Sequence, residues 1–169
     1  MAYQSERLSE DHDLRPFESS EPDLDRWLKE SALRAQKQGT GRTYVWHEGD
    51  QVVVAYFTLL GHVLSRGVLP RKEQRSVPHE VPAILLAKLA LDKRLHGQRL
   101  GRQLLADAMI RCIEAGRIVA FRYVVVDAIS ENAAGFYQRF GFIPIPDTSP
   151  VRLIRKLADI EQAHRLAEF

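Results

Sequence analysis

Residues 84–102, ILLAKLALDKRLHGQRLGR, decide how this chain is read. The stretch opens as an apolar run, passes through a short basic turn and enters a helix. The turn carries His96-Gly97-Gln98-Arg99-Leu100-Gly101, with Arg102 next. A helix N-terminus presents unpaired backbone N–H groups and the positive end of the helix dipole, so it favours an anion. Gly97 and Gly101 let a backbone approach that anion with no Cβ in the way. Chemically this is a place for a phosphate or pyrophosphate. A plain strand-to-helix turn with incidental basic residues fits the segment equally well, so the decision passes to the flanking chain.

Ala83 to Leu91 is nearly all apolar, as in a strand covered on both faces. Lys88 interrupts it, and by alternation shares a face with Ile84, Leu86 and Ala90. A buried unpaired ammonium is costly, so Lys88 is expected to line a cleft. Downstream, Leu100 to Ala115 reads as an amphipathic helix with Arg102, Asp107, Arg111 and Glu114 outside, closed by Gly116. Phe121 to Asp127 is another strand. Ser130 caps a helix from Glu131 to Phe140, which Gly141 ends. Phe142–Ile145 and Val151–Lys156 make a final strand pair. Leu157 to Phe169 is a last amphipathic helix, expected as an exposed or partner-binding tail.

Upstream, residues 1–13 read as a loose polar entry and Leu14 to Phe17 as a short edge strand. Ser20 is the expected N-cap of a helix running to Gln38, with Leu24, Trp27, Leu28, Ala32 and Ala35 inward and Gly39 and Gly41 as its stop. Arg42–His47 and Gln51–Thr58 form a hairpin around Glu48-Gly49-Asp50, with Leu59 to Val63 extending the second strand. Residues 64–82, with Pro70, Pro78 and Pro82, read as a long basic loop of the kind that is often functional. A hairpin followed by alternating strands and helices predicts an α/β fold whose sheet is mixed in direction.

At 169 residues the chain is expected to be a single domain, and 45% hydrophobic with 27% charged residues is ordinary for a globular protein. No apolar run approaches the ~20 residues that span a bilayer, and the polar start lacks a signal peptide, so no membrane role and a cytoplasmic location are expected. Cys112 reads as a packed thiol. The six histidines show no ligand spacing, so no metal is expected. Net charge is +2, yet basic groups cluster at residues 26–42, 66–75 and 88–102 after an acidic start. Such clusters suit an anionic polymer, though solvated faces balanced by nearby acids account for them as well.

The order hairpin, apolar strand, glycine-turn helix, strand, then a short helix ending in Phe136-Tyr137-Gln138-Arg139-Phe140-Gly141-Phe142 resembles the GNAT family of acetyl-CoA-dependent N-acetyltransferases. Their turn pattern, Q/R-x-x-G-x-G/A, aligns with residues 96–101, with His96 and Arg99 departing from it. The resemblance implies the GNAT fold, a mixed, mostly antiparallel sheet flanked by helices. It implies acetyl-CoA along Leu89, Ala90 and Leu91, with its pyrophosphate at the turn formed by Gly97, Gln98, Arg99, Leu100, Gly101 and Arg102. It further implies that Asn132 contacts the cofactor and that Tyr137 protonates the departing thiolate. Many members keep a glutamate base on the strand, where this chain has Lys88.

A narrower resemblance covers almost the whole chain. Leu24-Asp25-Arg26-Trp27-Leu28-Lys29, Gly41-Arg42-Thr43-Tyr44-Val45, the basic loop and Leu89-Ala90-Leu91-Asp92-Lys93 are similar to the GNAT toxins of bacterial toxin–antitoxin pairs. Those toxins acetylate the α-amino group of aminoacyl-tRNA, block translation, and pair with a ribbon-helix-helix antitoxin. The resemblance implies the same activity, such a partner and a homodimer. Phosphate contacts are expected from Lys29 and Arg34 of the first basic cluster, Arg75 of the second and Lys88 of the third. The rival readings are a GNAT enzyme for a small amine or protein N-terminus, and a non-catalytic acyl-CoA-binding module.

Overall fold

The apolar run of residues 83–91 lies in the central strand of a seven-stranded sheet in a computed structural model that describes residues 3–166. In chain order the elements are β1 (Glu6–Arg7), α1 (Pro22–Glu30), α2 (Ala32–Gln38), β2 (Arg42–Trp46), β3 (Ala55–Ser65), β4 (Glu80–Leu91), α3 (Leu100–Gly116), β5 (Tyr123–Asp127), α4 (Glu131–Arg139), β6 (Ile143–Ile145), β7 (Arg152–Lys156) and α5 (Leu157–Arg165). The strand order is β1-β2-β3-β4-β5-β7-β6. β4 and β5 pair in parallel; the pairs β1–β2, β2–β3, β5–β7 and β6–β7 are antiparallel. The chain divides into two compact units. The first runs up to Leu60 and from Ala87 to Met109; the second runs from Gly61 to Leu86 and from Ile110 onward.

The first unit buries Leu8, Phe17, Leu28, Ala32, Val45, Val53, Tyr56 and Ala90 as one core. Its entry is more ordered than its polar composition suggests, because Glu6 and Arg7 form β1 against Val45 and Tyr44. Leu14 to Phe17 is a turn rather than a strand: the Phe17 N–H donates to the Leu14 carbonyl at 3.1 Å, and the Phe17 ring fills the core. Nor does Ser20 cap the first helix. That residue has φ +80°, whereas an N-cap needs extended backbone, and Glu21 takes the position. Asp25 sets the geometry instead, accepting the Ser19 N–H at 3.0 Å and its hydroxyl at 2.6 Å. The expected single helix to Gln38 breaks at Ser31 into α1 and α2, and Gly39 ends it at φ +76°. The hairpin ladder starts at Ala55, later than expected. Residues 51–53 pair with the entry segment, Asp13 facing Val52 and the Val53 N–H reaching the Asp13 carbonyl at 3.0 Å.

In the second unit β4 meets β5 from Ala83↔Tyr123 to Leu86↔Val126, and β5 meets β7 from Tyr123↔Lys156 to Asp127↔Arg152. The expected loop is trimmed at both ends, since β3 continues to Ser65 and β4 begins at Glu80, taking Pro82 into the strand. What remains carries two short 3-10 turns, and its Leu69 and Val77 join Val81, Tyr123, Val125, Ile145 and Ile154 in a core. Glu73 braces it with ion pairs to Lys156 at 2.9 Å and Arg122 at 3.5 Å. α3 ends at Gly116, where a Cβ would stand 2.7 Å from Leu157 Cδ2, and α4 is followed by Gly141 at φ +83°. α5 is no tail: Leu157, Ile160 and Ala163 are buried, the expected helix ends at Arg165, and its last three residues lie outside the described ones. Cys112 is fully buried, and burial pushes its thiol up to about 12. No described helix is long and apolar enough to cross a membrane.

Candidate active site

The segment from Leu91 to Leu100 is held by one carboxylate. Asp92 is 1% exposed. It accepts hydrogen bonds from the Glu18 N–H at 3.1 Å, the Arg94 N–H at 3.0 Å and Arg94 Nε at 2.8 Å. Burial alone would raise its pKa, but the Arg94 and Glu18 donors outweigh it and hold the group below its ordinary value. The Asp92 N–H reaches the Val54 carbonyl and the Lys93 N–H the Glu18 carbonyl, both at 2.8 Å. Next comes a 3-10 turn from Lys93 to Leu95. His96 Nε2 lies 3.1 Å from the Leu91 carbonyl, and Gln98 Nε2 donates to the Arg94 carbonyl at 3.1 Å. Both departures from the family pattern therefore have a place. The His96 ring ties the turn back to β4. Arg99 stands at φ +59°, the left-handed conformation natural to the glycine it replaces, as does Gly97 at +77°.

Left-handed residues alternating with their neighbours can turn successive backbone N–H groups towards one concavity, and the first N–H groups of α3 follow immediately. Around Gly97 a Cβ would meet nothing within 4 Å, so the turn is open. Gly97, Gln98, Arg99 and Arg102 are exposed, Leu100 is buried as the anchor, and Gly101 lies within the first turn of α3. Together these groups set unpaired backbone N–H donors and positive charge at an open helix start, the chemistry that favours an anion.

Lys88 is the only charged residue of β4 after Glu80, and the same strand carries Leu89, Ala90 and Leu91. Its Nζ stands 5.3 Å from the centroid of the Trp27 ring on α1. That ring is stacked on Tyr56 at 6.3 Å and 14°, and the Tyr56 hydroxyl donates to the Leu24 carbonyl at 2.7 Å. Lys88 is half-buried, with no carboxylate partner among the described residues. Its ammonium is held by an aromatic face rather than by a counter-charge. Lys29 and Arg34 are exposed on α1 and α2 of the same unit.

In the second unit Ser130 caps α4 by accepting the Ala133 N–H at 3.1 Å. Asn132 sits exposed in the first turn. Tyr137, five residues on, is 8% exposed, with Phe136 at 5.4 Å and Phe142 at 5.7 Å edge-on to its ring. Burial pushes its phenol up to about 12, and its hydroxyl has no hydrogen-bond partner among the described residues. Arg75 is exposed in the loop of this unit.

Several site-shaping groups have no local sequence signal. Asp107, expected outside α3, instead accepts the Ser5 N–H at 2.9 Å, its hydroxyl at 2.8 Å and Trp46 Nε1 at 2.8 Å. Arg152 grips Asp127 through two bonds of 2.8 and 2.9 Å and donates to His62 Nε2 at 2.9 Å. Arg152 and Asp127 border a cavity of about 330 Å³ lined by Val63, Leu64, Val68, Ile145 and Pro150. Glu6, His12 and His47 also converge. The Ser9 and Gly49 N–H groups donate to Nδ1 of the two imidazoles, each at 3.0 Å. The ring protons therefore sit on the Nε2 atoms and point at Glu6, the reverse of the tautomer that a metal at Nε2 requires. The trio is a clasp on β1.

A family model described as an acetyltransferase (GNAT) domain matches residues 39–144. A tRNA-acetylating toxin of Mycobacterium tuberculosis is 35% identical over 153 residues, covering 90% of this chain and 91% of that protein. A solved structure of a tyrosine-to-phenylalanine mutant of KacT matches with TM-score 0.89 and 30% identity over 96% of this chain and 99% of that one. The structure of AtaT complexed with acetyl-methionyl-tRNAfMet matches with TM-score 0.88 and 29% identity over the same shares. Other matching structures hold AtaTR with AcCoA (TM-score 0.84) and AtaT with the C-terminus of the antitoxin AtaR (TM-score 0.82). The sheet order, the pinned turn opening α3 and the buried tyrosine of α4 agree with that match: the chain belongs to the GNAT acetyltransferase family.

Proposed function

We propose that this chain, acting as one GNAT domain over residues 1–169, is the toxin of a toxin–antitoxin pair. It moves the acetyl group of acetyl-CoA to the α-amino group of aminoacyl-tRNA in the cytoplasm and so blocks translation. The observation that carries the reading is the cation Lys88 on β4, a strand that offers no carboxylate between Val81 and Leu91. An α-amino group, with a pKa near 8, needs little help to lose its proton, whereas a lysine side chain near 10.4 needs a base. A cation at this position also suits an RNA acceptor end and repels polyamines. The names of the relatives, and the bound tRNA and AcCoA of the AtaT structures, support the same reading.

When bound, acetyl-CoA supplies an activated thioester. The open turn at Gly97–Arg102 fits its diphosphate through backbone N–H groups, with the Arg99 guanidinium as a charged addition. Backbone N–H groups near Leu89 or Leu91 polarise the thioester oxygen, Ala90 lies along the same edge, and Asn132 contacts the cofactor. Tyr137, held as a neutral phenol by burial, keeps its proton for the departing thiolate. Lys29, Arg34, Arg75 and Lys88 meet the RNA. A ribbon-helix-helix antitoxin is the partner, in line with AtaR on AtaT, and the toxin itself is a homodimer. No step calls for a metal.

Purified protein mixed with labelled acetyl-CoA and total charged tRNA is expected to put label on the aminoacyl end. Absence of label with acetyl-CoA binding intact would hand the enzyme to a small amine or protein N-terminus. Absence of acetyl-CoA binding would leave the non-catalytic reading.

A further inference from the structure

We infer that Lys88 acts on the acceptor amine itself: a cation fixed on Trp27 that disfavours the protonated form of the incoming amine and so makes the neutral nucleophile available without a base. The inference rests on the acetyltransferase reading and extends it, because a phosphate contact alone would leave the amine unaffected.

The geometry is that of a fixed charge. Nζ lies 5.3 Å above the Trp27 ring, Trp27 is stacked on Tyr56, and Tyr56 is tied to the Leu24 carbonyl and edge-packed by Phe17 at 5.6 Å. An indole face holds an ammonium without neutralising it, as a carboxylate would. Of the acidic groups on α1 and in the turn after β4, all but Glu30, exposed at the end of α1, are engaged elsewhere, Asp92 by Arg94 and the Glu18 N–H. On α1, Asp23 pairs with Arg26 and Asp25 is taken by Ser19. β3 offers only Tyr56, whose burial keeps the phenol uncharged, and His62, which accepts from Arg152. The β5 ladder ends at Leu86↔Val126, before Lys88 is reached. A positive charge held close to an amine makes its ammonium form less favourable, so the neutral nucleophile appears at lower pH. No base has to take the proton, which leaves to water before attack. The amine then forms the amide bond as the thioester carbon–sulfur bond breaks; Tyr137 protonates the departing thiolate, and the proton that the nitrogen sheds on becoming an amide returns through solvent to the phenol.

The test uses the full chain and an O-aminoacyl adenosine, which carries the α-amino group and no phosphate. The acidic limb of kcat against pH, at saturating ester so that it reports the bound amine, is measured for the wild type, Lys88→Gln, Lys88→Arg and Trp27→Phe. Loss of the charge in Lys88→Gln is expected to move the limb up by about one pH unit. Lys88→Arg restores it, and Trp27→Phe shifts it in the same direction by less. Circular dichroism and acetyl-CoA affinity report whether each variant is folded. A limb unmoved in Lys88→Gln, together with a reduced salt slope on charged tRNA, overturns the inference and makes Lys88 a phosphate contact only. A wild type that acetylates neither the adenosine ester nor charged tRNA overturns the acetyltransferase reading and the inference together.

Discussion

In the first unit the glycine turn hangs from a buried carboxylate; in the second, Tyr137 is clamped by rings and by no polar partner among the described residues. Asp92 converts three donors into one fixed exit from β4, leaving Gly97, Gln98 and Arg99 exposed to solvent. Tyr137 is treated in the opposite way. Phe136 and Phe142 exclude water from its ring, and that exclusion sets its protonation state. Binding an anion calls for exposed, oriented N–H groups, so the support must be polar and lie beneath. On the proposed reading Tyr137 gives its proton to a thiolate, and its apolar surround keeps the phenol protonated until then.

Tyr137→Phe makes the sharpest break between the two. It removes one hydroxyl that hydrogen-bonds to no described group, so the fold and acetyl-CoA affinity are expected to stay, while transfer falls by at least about 100-fold, the range for loss of a general acid. Full activity in the variant would remove Tyr137 from the chemistry. Because the wild-type phenol is pushed up to about 12, its ionisation is expected to impose no alkaline limb on kcat below about pH 10.

Asp92→Ala strikes the other support. It strands the Glu18 and Arg94 donors in a buried site, a loss of about 2–3 kcal/mol in a urea titration. Acetyl-CoA affinity is expected to fall as the turn loosens. A depressed carboxylate pKa contributes stability that is complete above the unfolded value near 4 and is lost as pH falls through the folded value. The gap between wild type and Asp92→Ala should therefore narrow below about pH 4. A constant gap would mean that packing, not charge, fixes the turn.

The same contrast explains what can be read in the chain. The Gly97–Gly101 turn, the Ser130 cap and the glycines after α2 and α4 are local backbone demands, and local demands leave a signature in adjacent residues. Asp92, Asp107 and Glu73 reach partners far along the chain, Glu18, Ser5 and Lys156 lying 74, 102 and 83 positions away, where nothing in the pattern points to the other residue. Trp27 is legible as an inward residue of a helix, but its role as a seat for Lys88 emerges only in tertiary structure. The split at Ser31 and the early strand β1 escape the sequence for a related reason. Polar residues at an edge read as loop until a partner strand supplies their hydrogen bonds.

Arg99→Gly sharpens the account of the turn itself. Glycine adopts φ +59° freely, so the variant should gain up to about 1 kcal/mol in stability. If the guanidinium meets the diphosphate, acetyl-CoA affinity falls several-fold at the same time and depends less on salt. Opposite signs for stability and affinity are the expected result, read from a melting curve and a calorimetric titration. Affinity equal to or better than wild type would mean that the backbone alone binds the anion.

The smallest effect concerns which unit carries the RNA. Lys29 and Arg34 belong to the first unit and Arg75 to the second, and all three are exposed. Removing one charge should weaken charged-tRNA binding only a few-fold. It should also lower the slope of log affinity against log salt by about 0.7–0.9 for each phosphate that is no longer neutralised. The slope is the better readout, since a local packing change alters affinity at every salt concentration alike and leaves the slope where it was. Lowered slopes for Lys29→Gln and Arg34→Gln with an unchanged one for Arg75→Gln would confine the RNA path to the unit that holds Lys88. The reverse pattern would run the RNA along the loop braced by Glu73.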